Sequence, residues 1–199
     1  IALAGNPNVG KSTVFNALTG MNQHTGNWAG KTVSSAMGRC TYNNKKYVLA
    51  DIPGTYSLMA QSAEEEVARD FICFQNPDAV IVVCDATCLE RNLNLVLQTI
   101  EITPKTVVCV NLLDEAERKN IHVDIQKLET FLGVPAVGVT AREGKGLDKL
   151  MEAVERVIEN RPESPFIPVY DAELEEEIQK ITAAAEPLTN GKISPRWTA

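Results

Sequence analysis

The sequence predicts a doubly wound α/β protein, a mostly parallel six-stranded sheet with a small helical appendage. Apolar runs short enough for strands alternate with stretches of helical period, which is how a parallel sheet covered on both faces reads. The first run, Ile1-Ala2-Leu3-Ala4, leads directly into the glycine-bounded loop Gly5-Asn6-Pro7-Asn8-Val9-Gly10-Lys11-Ser12 and then the helical stretch Thr13-Val14-Phe15-Asn16-Ala17-Leu18. Later runs each end in a short polar loop, and in such sheets ligands bind beyond the carboxyl ends of the strands.

The first helix ends near Thr19-Gly20. Residues 21 to 35, rich in Asn, Gly, Thr and Ser and carrying Trp28, read as a long loop of the kind that is usually functional. Met37 to Tyr42 and Lys46 to Ala50 flank Asn43-Asn44 as the arms of a hairpin whose second arm delivers Asp51. Val67, Phe71 and Phe74 give Ala63 to Phe74 the spacing of an amphipathic helix. Ala79 to Cys84 and Thr106 to Val110 read as buried strands, separated by a helix with Leu89, Leu93, Val96, Leu97 and Ile100 on one side. A helix from Ile125 to Leu132, a strand from Val134 to Val139 and a helix bearing Leu147, Leu150, Met151, Val154, Val157 and Ile158 complete a domain over residues 1–161.

A linker at 162–170, marked by Pro162, Pro165 and Pro168, precedes a partial helical domain at 171–199. There Leu174, Ile178, Ile181 and Ala185 form an apolar stripe, opposite an acidic face from Glu173 to Glu177, that needs the first domain or further helices to cover it. Opening within its first strand and stopping at the helix-start pattern Ser194-Pro195-Arg196-Trp197, the chain is expected to be a piece of a longer protein.

A net charge of −7 argues against a broad nucleic-acid-binding face, though a local basic patch stays open. No apolar run reaches the roughly 18–20 residues of a membrane helix, and the piece is expected to be soluble. Cys40, Cys73, Cys84, Cys88 and Cys109 form no C-x-x-C pair and lie mostly in apolar stretches, so they read as reduced, buried thiols rather than zinc ligands. His24 and His122 read as exposed loop residues.

The glycine-bounded loop matches G-x-x-x-x-G-K-[S/T], the phosphate-binding P-loop. Consecutive backbone N–H groups must wrap a polyphosphate, which requires small residues where the loop turns back, as at Gly5 and Gly10. The following helix aims its positive dipole end at the phosphates, Lys11 adds a mobile cation, and the Ser12 hydroxyl can ligate Mg²⁺. Asn6, Asn8, Val9, Gly10 and Thr13 complete the predicted phosphate cradle. Asp51-Ile52-Pro53-Gly54 follows the hairpin, where the carboxylate can hold Mg²⁺ through water and the Gly54 amide can meet a γ-phosphate; a plain Pro-Gly turn is the alternative.

Asn111-Leu112-Leu113-Asp114 ends the strand from Thr106, and Asn111, Leu112 and Asp114 are assigned to the base. The Asp114 carboxylate can accept two hydrogen bonds from the N1–H and 2-amino groups of guanine, a donor pair that adenine lacks. Asn111 is expected to brace the loop and face the purine N7 edge, the alternative being a helix N-cap. Thr140-Ala141-Arg142 can supply a backbone amide to guanine O6, with Arg142 or Lys145 over the base, unless it is only a strand-to-helix loop.

In this order the motifs resemble those of a Ras-like GTPase over residues 1 to about 160. The loop Gly26-Asn27-Trp28-Ala29-Gly30-Lys31-Thr32-Val33, with Asp51 to Leu58 and Leu89-Glu90-Arg91-Asn92-Leu93, is similar to the amino-terminal G domain of the FeoB family of prokaryotic ferrous iron transport proteins. The tail beyond Pro168 resembles the beginning of that family's helical spacer domain. The resemblance implies GTP and GDP as ligands, GTP hydrolysis, and attachment to a transmembrane portion of the same polypeptide at the cytoplasmic face of the bacterial inner membrane. A homo-oligomer is left open, and no nucleic acid is implied.

By the same resemblance Thr32 is the switch I threonine that ligates Mg²⁺, and residues 54 to about 66 form switch II. Separately, Asn8 resembles the P-loop asparagine that helps to hold K⁺ in GTPases activated by potassium, a simple polar turn residue being the alternative. Lys11, Thr32, Asn8 and Gly54 are the residues assigned to catalysis. One departure affects mechanism: Thr55 stands where Ras-like enzymes carry a water-orienting glutamine. Backbone groups of switch I are therefore the candidates for positioning water, ahead of Glu64, Glu65 or Glu66, and hydrolysis is expected to be slow without K⁺. Two rival readings are a binding switch in which hydrolysis is incidental and a soluble GTPase acting on ribosomes or tRNA.

Overall fold

The computed structural model describes residues 1–20, 23–27, 34–59 and 61–160, with 23–27 and 34–35 described by backbone alone. The expectations for Trp28, Thr32, the linker and the helical appendage lie outside the described residues. Strands β1 (Ala2–Gly5), β2 (Gln23–Asn27), β3 (Ser34–Tyr42), β4 (Lys45–Asp51), β5 (Val80–Asp85), β6 (Thr106–Asn111) and β7 (Ala136–Gly138) form one sheet in the order β2-β3-β4-β1-β5-β6-β7. Helices α1 (Lys11–Thr19), α2 (Ala63–Phe74), α3 (Leu89–Ile102), α4 (Leu113–Arg118), α5 (Ile125–Leu132) and α6 (Leu147–Asn160) connect and cover them. Pairings from β4 through β7 are parallel, whereas β3 runs antiparallel to both β2 and β4.

All six expected strands are present, and β2 adds a seventh at the edge. Where the sequence reads as one long loop, Gln23–Asn27 pairs residue by residue with Ser34–Gly38. A Gln-His-Thr-Gly-Asn run has little strand character of its own; its pairing comes from the neighbouring edge of β3. The hairpin turn is as expected, since Asn43 (φ 47°) and Asn44 (φ 61°) both take the left-handed conformation of a two-residue type I′ turn.

Because successive strand residues point to opposite faces, the continuous apolar runs fill two cores at once. Ala2, Val80, Val82, Val108 and Val110 pack with Ala68, Ile72, Leu95, Val96 and Ile100 of α2 and α3. Leu3, Ile81, Val83, Val107 and Cys109 pack with Val14, Phe15, Leu150, Val154 and Val157 of α1 and α6. Each fully buried Leu, Ile, Val or Phe contributes about 1.5–3 kcal/mol, so this double burial fixes the loops at the strand ends.

Helix faces depart from expectation in detail. On α2 the buried residues are Val67, Ala68, Ile72 and Cys73, while Phe74 is 49% exposed. Its acidic start is a first turn capped by Ser62, whose hydroxyl accepts from the Glu65 amide at 3.2 Å. Nothing in the sequence signals α4, six residues that follow Leu112, whose left-handed φ of 63° turns the chain out of β6. Cys73, Cys84 and Cys109 are buried, and burial pushes the Cys84 thiol up to about 12, whereas Cys88 is exposed.

Candidate nucleotide-binding site

The loop after β1 turns on two left-handed residues, Asn8 (φ 67°) and Gly10 (φ 79°). Gly10 is the residue before α1, and no side chain caps that helix, so its first-turn amides are left for an outside acceptor. A Cβ at Gly10 would lie 2.4 Å from Asn111 Nδ2, so this position admits no side chain. Asn6, Asn8, Gly10, Lys11, Ser12, Thr13 and Gly54 line, with Pro7, one recess of about 520 Å³. Val9 turns inward and is 2% exposed, anchoring the loop to the core.

β4 brings Asp51 to this recess, where its carboxylate accepts from the Lys11 ammonium, both groups being largely buried. Beyond it the backbone ladder to β1 slips by one residue. The amides of Ala50 and Ile52 donate to the Ile1 and Leu3 carbonyls, but it is Thr55, not Gly54, that donates to Gly5 at 3.1 Å. The slip leaves the Gly54 amide out of the sheet, at the wall of the recess. Thr55 is buried at 2%, and its hydroxyl donates to the Ser57 carbonyl at 2.6 Å. That bond turns the side chain into the fold, consistent with denying it the water-orienting role of a glutamine.

Asn111 is 1% exposed and joins two loops: its Nδ2 donates to the Val9 carbonyl at 3.1 Å, and its Oδ1 accepts from the Ala141 amide at 3.1 Å. The bracing role is therefore present, and the helix-cap alternative is not, because α4 has no side-chain cap and begins after Leu112. Thr140 is closed against Lys145 by paired backbone bonds, and Lys145 reaches Glu143 at 2.7 Å. Asp114 is ion-paired with Arg142 from the facing loop and with Arg118 at 3.2 Å. Loss of water raises the Asp114 carboxyl's affinity for a proton, but Arg142, the Glu115 amide and Arg118 together outweigh this and hold its pKa below the usual value.

The donor set fits a magnesium nucleotide. Ser12 and Asp51 carry hard oxygen donors of the kind that Mg²⁺ takes, beside a cation and a free helix start, and Asn8 is exposed at the same recess. The buried Asn6 Oδ1 has no hydrogen-bond partner among the described residues, so this wall retains an unused acceptor. A larger recess of about 600 Å³ lies between Ala86–Arg91 and Ile121–Phe131 and carries none of these groups.

The family model described as ferrous iron transport protein B matches residues 1–154. The chain belongs to that family. It is 42% identical over 160 residues to the Fe(2+) transporter FeoB of Salmonella typhimurium, a match covering 78% of the chain and 21% of that relative. The chain thus spans about a fifth of the length of the curated relatives it matches. The cytosolic domain of the T. maritima FeoB iron transporter in its GMPPNP form superposes with a TM-score of 0.89 at 36% identity, covering 98% of this chain and 77% of that one. The GDP form I of the same domain matches with a TM-score of 0.89 at 36% identity, over 98% and 76% of the two chains. The fold is that of a FeoB G domain, a P-loop GTPase fold.

The structure also gathers residues to which sequence reasoning gave no role. Arg91, Asn94 and Gln98 sit at helical spacing on α3 and all touch the 56–58 segment. Three polar residues recurring at helical spacing beside the apolar face of α3 are the signal that was available.

Proposed function

We propose that this chain is the GTP-binding and GTP-hydrolysing part of a ferrous iron transporter, regulating Fe(II) passage through an attached membrane portion. Residues 1–161 serve as the G domain, 162–170 as a linker and 171–199 as the start of a helical domain, at the cytoplasmic face of the inner membrane. The observation that carries the reading is Asn111, which ties the phosphate loop and the base loop into one unit through Val9 and Ala141. Among the described residues, no helix is long and apolar enough to cross a membrane.

In this reading the α1 amides and Lys11 hold the phosphates, and Asp114 selects guanine once Arg142 swings aside. Ser12, Asp51 and Thr32 hold Mg²⁺, which neutralises phosphate charge, and Asn8 holds K⁺, which supplies the positive charge of an arginine finger. The Gly54 amide meets the γ-phosphate, and backbone groups of switch I orient water. Support comes from the recess that Asn8, Lys11, Ser12 and Gly54 share and from the GDP and GMPPNP forms of the related domain. Steady-state GTP turnover compared in KCl and NaCl tests the reading. Faster turnover in K⁺ is expected; equal rates remove the role given to Asn8, and absence of guanine-nucleotide binding in Mg²⁺ removes the whole assignment.

A further inference from the structure

One polar stripe of α3 grips the segment that follows Gly54. The Arg91 guanidinium lies 4.4 Å from the centre of the Tyr56 ring, and Asn94 Nδ2 donates to the Tyr56 carbonyl at 3.1 Å. One turn on, Gln98 Oε1 accepts from the Leu58 amide at 2.7 Å, and the Gln98 amide group lies 3.2 Å from Ser57 Oγ. Spacings of three and seven residues place all three side chains along one line of the helix. Exposed loops seldom hold so many bonds to one element; this segment is docked.

The helix that does the gripping is itself fixed at both the sheet and the phosphate loop. Asn92 Oδ1 accepts from the Asp85 amide at 2.9 Å at the end of β5. Asn6 Nδ2, in the phosphate loop, donates to the Arg91 carbonyl at 3.2 Å. The rail along which residues 56–58 lie is thus referenced directly to the phosphate recess. At the other end of the segment, Thr55 bonds to Gly5 and leaves the Gly54 amide at the recess wall. Gly54 is therefore held between two fixed points, the β1 end and the α3 stripe.

We propose that Arg91, Asn94 and Gln98 form a latch that keeps Gly54 in place to meet a terminal phosphate, and so set the preference for nucleoside triphosphate over diphosphate. The inference rests on the nucleotide-binding function proposed above. These are positioning residues: none of them lines the phosphate recess. A diphosphate has no group at the Gly54 amide, so releasing the latch weakens triphosphate binding alone. The energetic link is the ordinary one, in which a ligand that contacts only one position of a mobile segment is strengthened by whatever favours that position.

The test is the ratio of dissociation constants for GTPγS and GDP, measured by titration of the whole chain with Mg²⁺ present. Gln98→Leu removes the Leu58 acceptor and is expected to weaken GTPγS by about five- to thirtyfold while GDP stays within about twofold. Gln98→Glu keeps an acceptor for the Leu58 amide and the Ser57 hydroxyl and is expected to restore the ratio to within about threefold of the unchanged chain. Asn94→Ala, an exposed and milder change, is expected to shift the ratio in the same direction by about three- to tenfold. Equal weakening of both nucleotides in Gln98→Leu and Asn94→Ala, or no change in the ratio, overturns the latch. Failure of the unchanged chain to bind either nucleotide overturns instead the function on which the latch rests.

Discussion

Asn111 donates to the Val9 carbonyl at 3.1 Å, and this bond ties the loop after β6 to the loop after β1. Its second bond, from the Ala141 amide at 3.1 Å, brings in the third loop of the site. Replacing Asn111 with Ala leaves a buried carbonyl and a buried amide unpaired, at about 1–3 kcal/mol each. Urea denaturation is expected to show a loss of about 2–6 kcal/mol, with GDP and GTPγS affinities falling together. A variant as stable as the parent with unchanged affinities contradicts the bracing role.

Gly10→Ala attacks the same joint from the other side. The new methyl meets Asn111 Nδ2 at 2.4 Å, and φ of 79° is unfavourable to any L side chain. Displacement of Asn111 is expected to cost nucleotide affinity at least tenfold, on the order of the 1–3 kcal/mol carried by a broken buried bond, together with a lowered melting temperature. Calorimetric titration with GDP checks this, and near-parental affinity speaks against it.

Asp114→Asn replaces an acceptor pair by an amide and also dissolves the ion pairs with Arg142 and Arg118. Preference is expected to move from guanine toward xanthine nucleotides, whose 2-oxo group suits an amide donor, by tens to hundreds-fold in relative affinity. Competition between GDP and XDP for a fluorescent nucleotide measures it. Unchanged GDP affinity means that this loop does not read the base.

Glu155 gives a pH signature far from the nucleotide site. Its carboxylate accepts from Tyr47 Oη at 2.5 Å and Asn43 Nδ2 at 2.8 Å, tying the hairpin to α6, with Lys45 at 3.4 Å. The Tyr47 bond, then the Asn43 bond, hold its pKa below the ordinary glutamate value of 4.5. A depressed folded-state pKa contributes stability that is present above the unfolded value and disappears as pH falls through the folded value. Stability is therefore expected to drop as pH is lowered below about 4.5, and Glu155→Gln is expected to shallow that drop. Melting temperatures of both chains from pH 3 to 7 decide the matter, and parallel curves count against the assignment. Desolvation, then Glu155, push Tyr47 up to about 12, so the phenol stays a donor throughout this range.

Much of the architecture was legible because it is written in short-range terms. The P-loop needs glycine at Gly10 for its left-handed turn and lysine and serine immediately after it, whatever lies elsewhere. Asn43-Asn44 favours a type I′ turn by its own backbone preferences, and a short continuous apolar run such as Val80 to Cys84 is typical of a strand covered on both faces. Strand β2 escaped because its pairing depends on β3 rather than on its residues. Helix α4 escaped because six residues leave too short a period to see.

From the sequence alone came the class of fold, the P-loop motif, the N-x-x-D motif with Asp114 and the order of these motifs along the chain, since each is a local pattern at a strand end. Tertiary structure decided which side chains meet: Asn111 with Val9, Arg142 with Asp114, Thr55 with Ser57, and the α3 stripe with residues 56–58. The physical reason is that a hydrogen bond forms between donors and acceptors brought within about 3 Å, and most of these partners lie some thirty to a hundred residues apart along the chain. Only the packing of two cores against one sheet sets those distances.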